Sequence, residues 1–382
     1  MSEVFLVIIW SKAQNKKQSI LQDLSDKFKI LDVYNITWTK DKFAENLSRF
    51  YGQNLPKNSH KEKHCGNGTF TCIIVRDKSP VYGLRKTSKG TQIVNTNLFD
   101  AKELYRNWTG GGHKIHATDN VKETKQQVIL LLNKTYRDYA DKNVNIKEKK
   151  YQRDLIGAND WDSLGSIFNV LNETVNYVIL RNFENLESTL TSSHPDIDLL
   201  VENKQVIVSI LNAKATNKKK HRVQYSVSVN HKKINFDLRY VGDNYYCAKW
   251  ERNILVSRVK KEYFYVPNKE NHFFSLLYHS ILHKEYILQD YIFQLTKFPT
   301  VKNMRIVDFM GVAPLDILNA YMDKHDYCYT EPNDPSVYWN HHCLSKKMYN
   351  TISLSRKITM VYTSYKKKVK HLLKKTLGFL LE

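Results

Sequence analysis

The chain reads as an α/β (α+β) protein, on three observations. Short apolar runs rich in β-branched residues stand near its start, at Phe5 to Trp10 and again at Thr69 to Val75. Between them, apolar residues recur at helical spacing, as at Ile20, Leu21, Leu24 and Phe28. From Asn271 onward the strand-like runs stop and the pattern turns helical, as in "HFFSLLYHSILHKEYILQDYIFQL". A period of two marks a strand and a period near 3.6 a helix, so each observation names an element type.

Taken in order, Val4 to Trp10 is expected as a strand, Lys16 to Phe28 as an amphipathic helix and Ile30 to Thr37 as a second strand. Lys42 to Tyr51 then reads as a helix and Thr69 to Val75 as a third strand, followed by a polar loop. A short helix near Leu98 to Arg106, a glycine-rich turn and a helix from Lys122 to Leu132 close this part. The stretch from Tyr136 to Arg153 is charged and poor in aliphatic residues, which suits a linker or a solvated helix. Beyond it, Asp162 to Val170 and Gln205 to Ala213 are expected as helices, and Tyr177 to Leu180 and Ile197 to Val201 as strands. His221 to Val229 and Ile234 to Val241 alternate in period two around "NHKK", a hairpin pattern. The expected division is residues 1–135, a linker at 136–160, a second domain at 161–300 and a helical region at 301–382.

A length of 382 residues is enough for two or three domains with their own cores. The formal net charge of +21 predicts attraction to anions: nucleotides, nucleic acid or an acidic membrane surface. An AT-rich genome would also produce this excess of Lys, Asn and Tyr. Five scattered cysteines with no CxxC pair fit a reducing, cytoplasmic setting. His341, His342, Cys343 and Cys328 match no standard zinc spacing. The apolar N-terminal run is too short for a signal peptide, and no stretch reaches the length of a membrane span.

The chemistry concentrates in two places. In "HPDIDLLV", Asp196 and Asp198 lie two apart, so on a strand both face the same way. Asp237 stands inside a later strand, "INFDLRY", where an unpaired carboxylate is costly to bury. Three aspartates on neighbouring strands suit Mg²⁺ or Mn²⁺, which take hard oxygen ligands and leave positions for substrate phosphates. A DxD pair alone also serves GT-A glycosyltransferases, which use it for a metal and a nucleotide-sugar. Together with the upstream strand "YVILRNF", the order and spacing resemble the nucleotidyltransferase superfamily that includes DNA polymerase β-like enzymes, over residues 165–300. The resemblance implies a mixed sheet with helices, a nucleoside triphosphate or nucleotide-sugar donor, and Asp196, Asp198 and Asp237 as metal ligands and catalytic residues. The family's Gly-Gly or Gly-Ser after the first strand is here Arg181-Asn182. Arg181 and Asn182 are therefore the expected phosphate contacts, joined by Arg239 and Lys284. His279 and His283 share a helix face next to Lys284, where they would cap the site or pack in the core.

The second place is "GGGHKIHATDN". A glycine-rich turn before a helix N-terminus suits a phosphate, and Thr118 or Asp119 would cap that helix. His-Ala-Thr-Asp-Asn at His116 to Asn120 is similar to the active-site segment of nucleoside-diphosphate kinases, whose pattern there is His-Gly-Ser-Asp-Ser. The upstream order of elements is similar as well. The resemblance implies a ferredoxin-like βαββαβ domain over residues 1–135, with His116 as the counterpart of the phosphorylated histidine and Asp119 beside the ligand. The family's Ile-Lys-Pro motif is replaced by "IIWSKAQ", with Lys12 displaced, and its phosphate-binding arginines have only Arg85 and Arg106 as candidates.

Residues 335–381 contain no Asp or Glu. Tyr362, Tyr365, Val369, Leu372, Leu373 and Leu380 fall at helical spacing, with Lys366, Lys367, Lys370, Lys374 and Lys375 largely opposite. Such a helix suits an anionic membrane surface or the protein core, and nucleic acid less well. The expectation is a metal-dependent transferase with a nucleotide or nucleotide-linked donor and a phosphorylated or glycan acceptor. Its place would be the cytoplasm, peripheral at the inner face of a membrane, in surface polysaccharide or glycan synthesis. The alternatives are an RNA-directed nucleotidyltransferase and an inactive nucleotide-binding scaffold.

Overall fold

β1 (Glu3–Ile9) is apolar on both faces because both are covered. Phe5, Val7 and Ile9 pack with Ile20 and Leu24 of α1 (Lys17–Lys27) and with Leu98, Ala101 and Tyr105 of α4 (Thr96–Trp108). Val4, Leu6 and Ile8 point the other way, into a larger core. That arrangement explains a continuous apolar run where a half-exposed strand would alternate. Each fully buried Val, Leu, Ile or Phe contributes on the order of 1.5–3 kcal/mol.

The computed structural model describes residues 2–88, 90–141, 148–184, 186–187, 196–298 and 313–343. By packing, the chain divides into two units. One comprises Met1–Lys218, Val223–Tyr240 and Arg258–Val266; the other comprises Lys219–Arg222, Val241–Ser257 and Pro267–Glu382.

The first unit holds two five-stranded sheets. In the first, β1 is flanked by β3 (Phe70–Asp77) and β6 (Ile115–Ala117), and β3 by β2 (Lys29–Thr37), every pair antiparallel. The order β6-β1-β3-β2 is the split βαβ arrangement expected for residues 1–135. β7 (Glu148–Gln152) adds a fifth, parallel strand to β2, inside the stretch read as a linker. Its residues alternate between exposed and half-buried, so its short aliphatic content hid it. The loop expected after Val75 carries a hairpin, β4 (Tyr82–Thr87) with β5 (Gly90–Asn95). Leu84 and Ile93 on it are 65% exposed, so the hairpin has little apolar pattern to announce it. α2 (Phe43–Tyr51), α3 (His60–Cys65), α5 (Val121–Leu132) and the single turn α6 (Arg137–Ala140) complete this half.

The second sheet follows α7 (Leu164–Thr174), whose Ser163 forms a capping box with Ser166. Its strands are β8 (Tyr177–Ile179), β9 (Asp196–Val201), β10 (Lys214–Ala215), β11 (Gln224–Val229) and β12 (Lys232–Tyr240), with α8 (Lys204–Leu211) after β9. Their order is β10-β11-β12-β9-β8. β12 and β9 run parallel and the other pairs antiparallel. The expected "NHKK" hairpin is present, with Asn230 and His231 both in the left-handed region (φ 46° and 61°). Ile197, Leu199 and Val201 of β9 and Ile234, Phe236 and Leu238 of β12 enter the same core as Leu6 and Ile8. Buried Arg49 of α2 ties the two halves, donating to the carbonyls of Ser209, Ile210 and Ile156. A small hairpin, β13 (Val259–Lys261) and β14 (Phe264–Val266), closes the unit.

The second unit contains α9 (Ala248–Val256), α10 (Lys269–Leu282), α11 (Gln289–Leu295) and a helix at Ala313–Lys324. Helices were expected to fill the rest of the chain, but residues 325–340 are irregular. Among the described residues, no helix is long and apolar enough to cross a membrane. The basic segment at 362–380 lies outside the described residues.

Candidate functional site

Alternation along β9 and β12 sends alternate side chains to the two faces of the second sheet. With Ile197, Leu199, Phe236 and Leu238 in the core, Asp196, Asp198, Asp237 and Arg239 share the other face. The parallel register sets Asp198 directly beside Asp237. Arg181, just past β8, donates to Asp198 Oδ1 at 2.9 Å, and both side chains are nearly inaccessible. Arg239 Nη2 lies 3.7 Å from Asp237 Oδ2. Five of the expected residues are thus brought together: three carboxylates and two guanidinium groups.

The electrostatics of this face are set by burial and like charge. The Asp237 carboxyl is pushed up to about 6, first by burial, then by the charge of Asp198, with Asp196 adding to it. Arg239 and Arg181 pull the other way without cancelling the rise. These are hard oxygen donors whose mutual repulsion a divalent cation would relieve, so the residues suit Mg²⁺. At present Arg181 provides the counter-charge at Asp198. The ligand atoms of the three aspartates are not all within 4.8 Å of one another.

Asn182 answers part of the question raised by the missing glycine pair. It takes φ 58°, a left-handed conformation that Asn tolerates better than most residues. The chain leaves β8 at Asn182 without a glycine, and before it Leu180 N–H extends the β8–β9 ladder to the Asp198 carbonyl at 2.9 Å.

His116 sits on β6, opposite Ile8 of β1. It is buried, edge-on to the rings of Phe50 and Tyr51, with its Nε2 2.7 Å from Gln127 Oε1. An amide oxygen only accepts, so Nε2 carries the proton and Nδ1 keeps its lone pair. Burial first, then the charge of Lys102, holds the imidazole well below its usual range, that is, neutral. Beside it opens a cavity of about 410 Å³ walled by Lys61, Lys86, Lys102, Arg106 and His113, with Glu103, Asp119 and Glu123. Lys102 pairs with Asp119 at 2.7 Å, and Arg106 with Glu103 at 2.7 Å.

Two expectations change here. The cap of α5 is Asn120, whose side chain accepts from Glu123 N–H, and not Thr118 or Asp119. Asp119 is occupied by Lys102, and the hydroxyl of Thr118 meets that of Thr124. Of the two candidate arginines, Arg106 reaches the cavity, whereas Arg85 pairs with Asp100 on the surface. The lysines at 61, 86 and 102 come from three separate segments, and nothing local in the sequence marks them as one wall.

Lys284 belongs to the second unit, its ammonium over the ring of Tyr291. Of the two readings of His279, capping a site or packing in the core, the structure shows the second, in a buried polar network: Nδ1 meets Tyr245 Oη at 2.7 Å and Nε2 meets Tyr291 Oη at 3.1 Å.

No protein-family model matches the chain, and no curated protein matches it. A solved structure of the Aquifex aeolicus nucleoside diphosphate kinase, in its orthorhombic C222 form, is similar over 34% of this chain and 93% of that one. The identity is 16% and the TM-score 0.24. The functional reading therefore stands on the side chains themselves.

Proposed function

We propose that this chain is a metal-dependent transferase that uses a nucleotide or nucleotide-linked donor. The observation that carries the reading is the in-register pair of Asp198 and Asp237, with Asp196, Arg181 and Arg239 on the same sheet face. Asp196, Asp198 and Asp237 would hold Mg²⁺ or Mn²⁺. The ion supplies neutralisation of donor phosphates and activation of the attacking oxygen. Arg181 would bind a donor phosphate with its fork of N–H groups. Arg239 remains against Asp237 and orients it. Asp237 would accept the proton of the acceptor hydroxyl.

The cavity at His116 serves a second phosphorylated group. Lys61 and Lys86, the lysines of its wall outside the Lys102–Asp119 and Arg106–Glu103 pairs, would attract the phosphate. His116 is presented as a neutral imidazole with Nδ1 unprotonated, the form required of a nucleophile or hydrogen-bond acceptor. A role in surface polysaccharide or glycan synthesis is the finer form of this reading, and its support is the basic segment near the C-terminus.

A thermal-shift screen of nucleoside triphosphates and nucleotide-sugars, with and without Mg²⁺ or Mn²⁺, tests it. A ligand at 100 times its Kd stabilises the native state by about 2.7 kcal/mol. The expected result is a metal-dependent rise in Tm that disappears in Asp198→Asn. A screen with no metal-dependent hit rejects the transferase reading.

A further inference from the structure

We propose that His60, His64 and His113 form a three-histidine site for Zn²⁺, separate from the aspartates of the second sheet. His60 and His64 lie one turn apart on α3, so both imidazoles leave the same face. His113 comes from the glycine-rich loop before β6. One ring nitrogen from each residue falls within 4.8 Å of the other two. The ring centroids are 4.0 Å apart for His60 and His64, 5.7 Å for His64 and His113, and 6.1 Å for His60 and His113.

The geometry is close to what the ion needs. With Zn–N bonds near 2.05 Å, two ligands of a tetrahedral zinc stand about 3.4 Å apart. The three nitrogens, within 4.8 Å of one another, have to draw together to reach that spacing. Backbone packing already brings the loop to the helix. Gly112 has φ 78°, and a Cβ there would sit 2.3 Å from His64 Nδ1. The His113 N–H donates to that same nitrogen at 3.2 Å, a bond that zinc ligation by His64 would replace. The glycine thus allows a close approach that any larger residue would block.

Three imidazoles and no carboxylate favour a borderline-soft ion over Mg²⁺ or Ca²⁺. Lys12 and Lys114 are near His64, and Lys61 and Arg106 near His113. Their charge opposes a bare cation but favours a zinc whose fourth position holds an anion, such as hydroxide or a phosphate oxygen. His113 also lines the basic cavity, so the fourth ligand would come from that space. The zinc site stands or falls independently of the aspartate chemistry.

The test uses the full chain stripped with a chelator, then titrated with Zn²⁺ against a chromogenic competitor and with Co²⁺ for its visible absorption. One equivalent of Zn²⁺ and an intense tetrahedral Co²⁺ band are expected. His60 is exposed, so His60→Ala leaves the metal-free melting temperature unchanged. It should weaken zinc by more than the roughly 10–100-fold that loss of an outer hydrogen-bond partner costs. His64→Ala should abolish the Co²⁺ band. His231→Ala, whose side chain is 92% exposed, and His341→Ala are controls that should change neither. Zinc binding no tighter than millimolar, an unaltered titration in His60→Ala, or loss of the site in either control overturns the proposal.

Discussion

The His116 cavity and the aspartate face resist ionisation in opposite senses. At His116, burial and the nearby Lys102 both penalise a cation, so the imidazole stays neutral. At Asp237, burial and the nearby Asp198 both penalise an anion, so the carboxyl holds its proton to higher pH. Burial disfavours charge of either sign, and like-charged neighbours add to it. What differs is the complement each region lacks. The first sets Lys61, Lys86, Lys102 and Arg106 against Glu103, Asp119 and Glu123 and leans towards an anion; the second sets Asp196, Asp198 and Asp237 against Arg181 and Arg239 and leans towards a cation.

The largest test of this contrast is Arg181→Met. It removes the buried partner of Asp198 and should cost about 3–5 kcal/mol in denaturant unfolding without metal. Mg²⁺ should restore more stability to this variant than to the wild type, because the ion replaces the lost charge. Equal Mg²⁺ responses would show that the aspartates do not recruit a cation.

Next in size is Asp237→Asn. The folded carboxyl titrates near 6, above the ordinary 3.8, so the folded state binds more protons between those values. Its contribution is most favourable below pH 4 and is lost as pH rises through 6. Without metal, Asp237→Asn should therefore gain stability relative to wild type as pH rises from 3.5 to 7.5. Stability curves across that range check the sign, and a variant that loses stability relative to wild type over it contradicts the prediction.

His116→Gln should move the acid side in the opposite direction. A histidine held neutral when folded supports stability above its unfolded value of about 6.5 and withdraws that support as pH falls. The variant should lose about 1 kcal/mol at pH 7.5 from the altered Gln127 contact and show a flatter decline from pH 6.5 to 5. An unchanged slope would mean that the imidazole is protonated without penalty. The smallest effect is expected of Lys61→Ala. It should weaken binding of inorganic triphosphate by about 0.5–1 kcal/mol and make that binding less salt-dependent. Calorimetry at two ionic strengths reads both.

Element types were legible where apolar periodicity was strong. β1, α1, β2, β3, α5 and the β11–β12 hairpin all lie within a few residues of their expected bounds. β7 and the β4–β5 hairpin escaped notice because their partly exposed faces leave no apolar stripe. Asn182 reads from the sequence as a phosphate contact; its left-handed φ of 58° is a backbone feature that the pattern does not show.

By itself, the sequence determined that Asp196 and Asp198 share a face and that Asp237 sits within a strand, because a two-residue period follows from the backbone alone. Nothing in "HKEKHC" marks a helix, so the shared side of His60 and His64 comes from the structure as well. Only the tertiary structure decided that Asp198 stands level with Asp237, that Arg181 occupies it, and that a glycine loop carries His113 to α3. Those pairings depend on strand order, register and loop closure. They are set by packing between segments far apart in the chain, which no local pattern encodes.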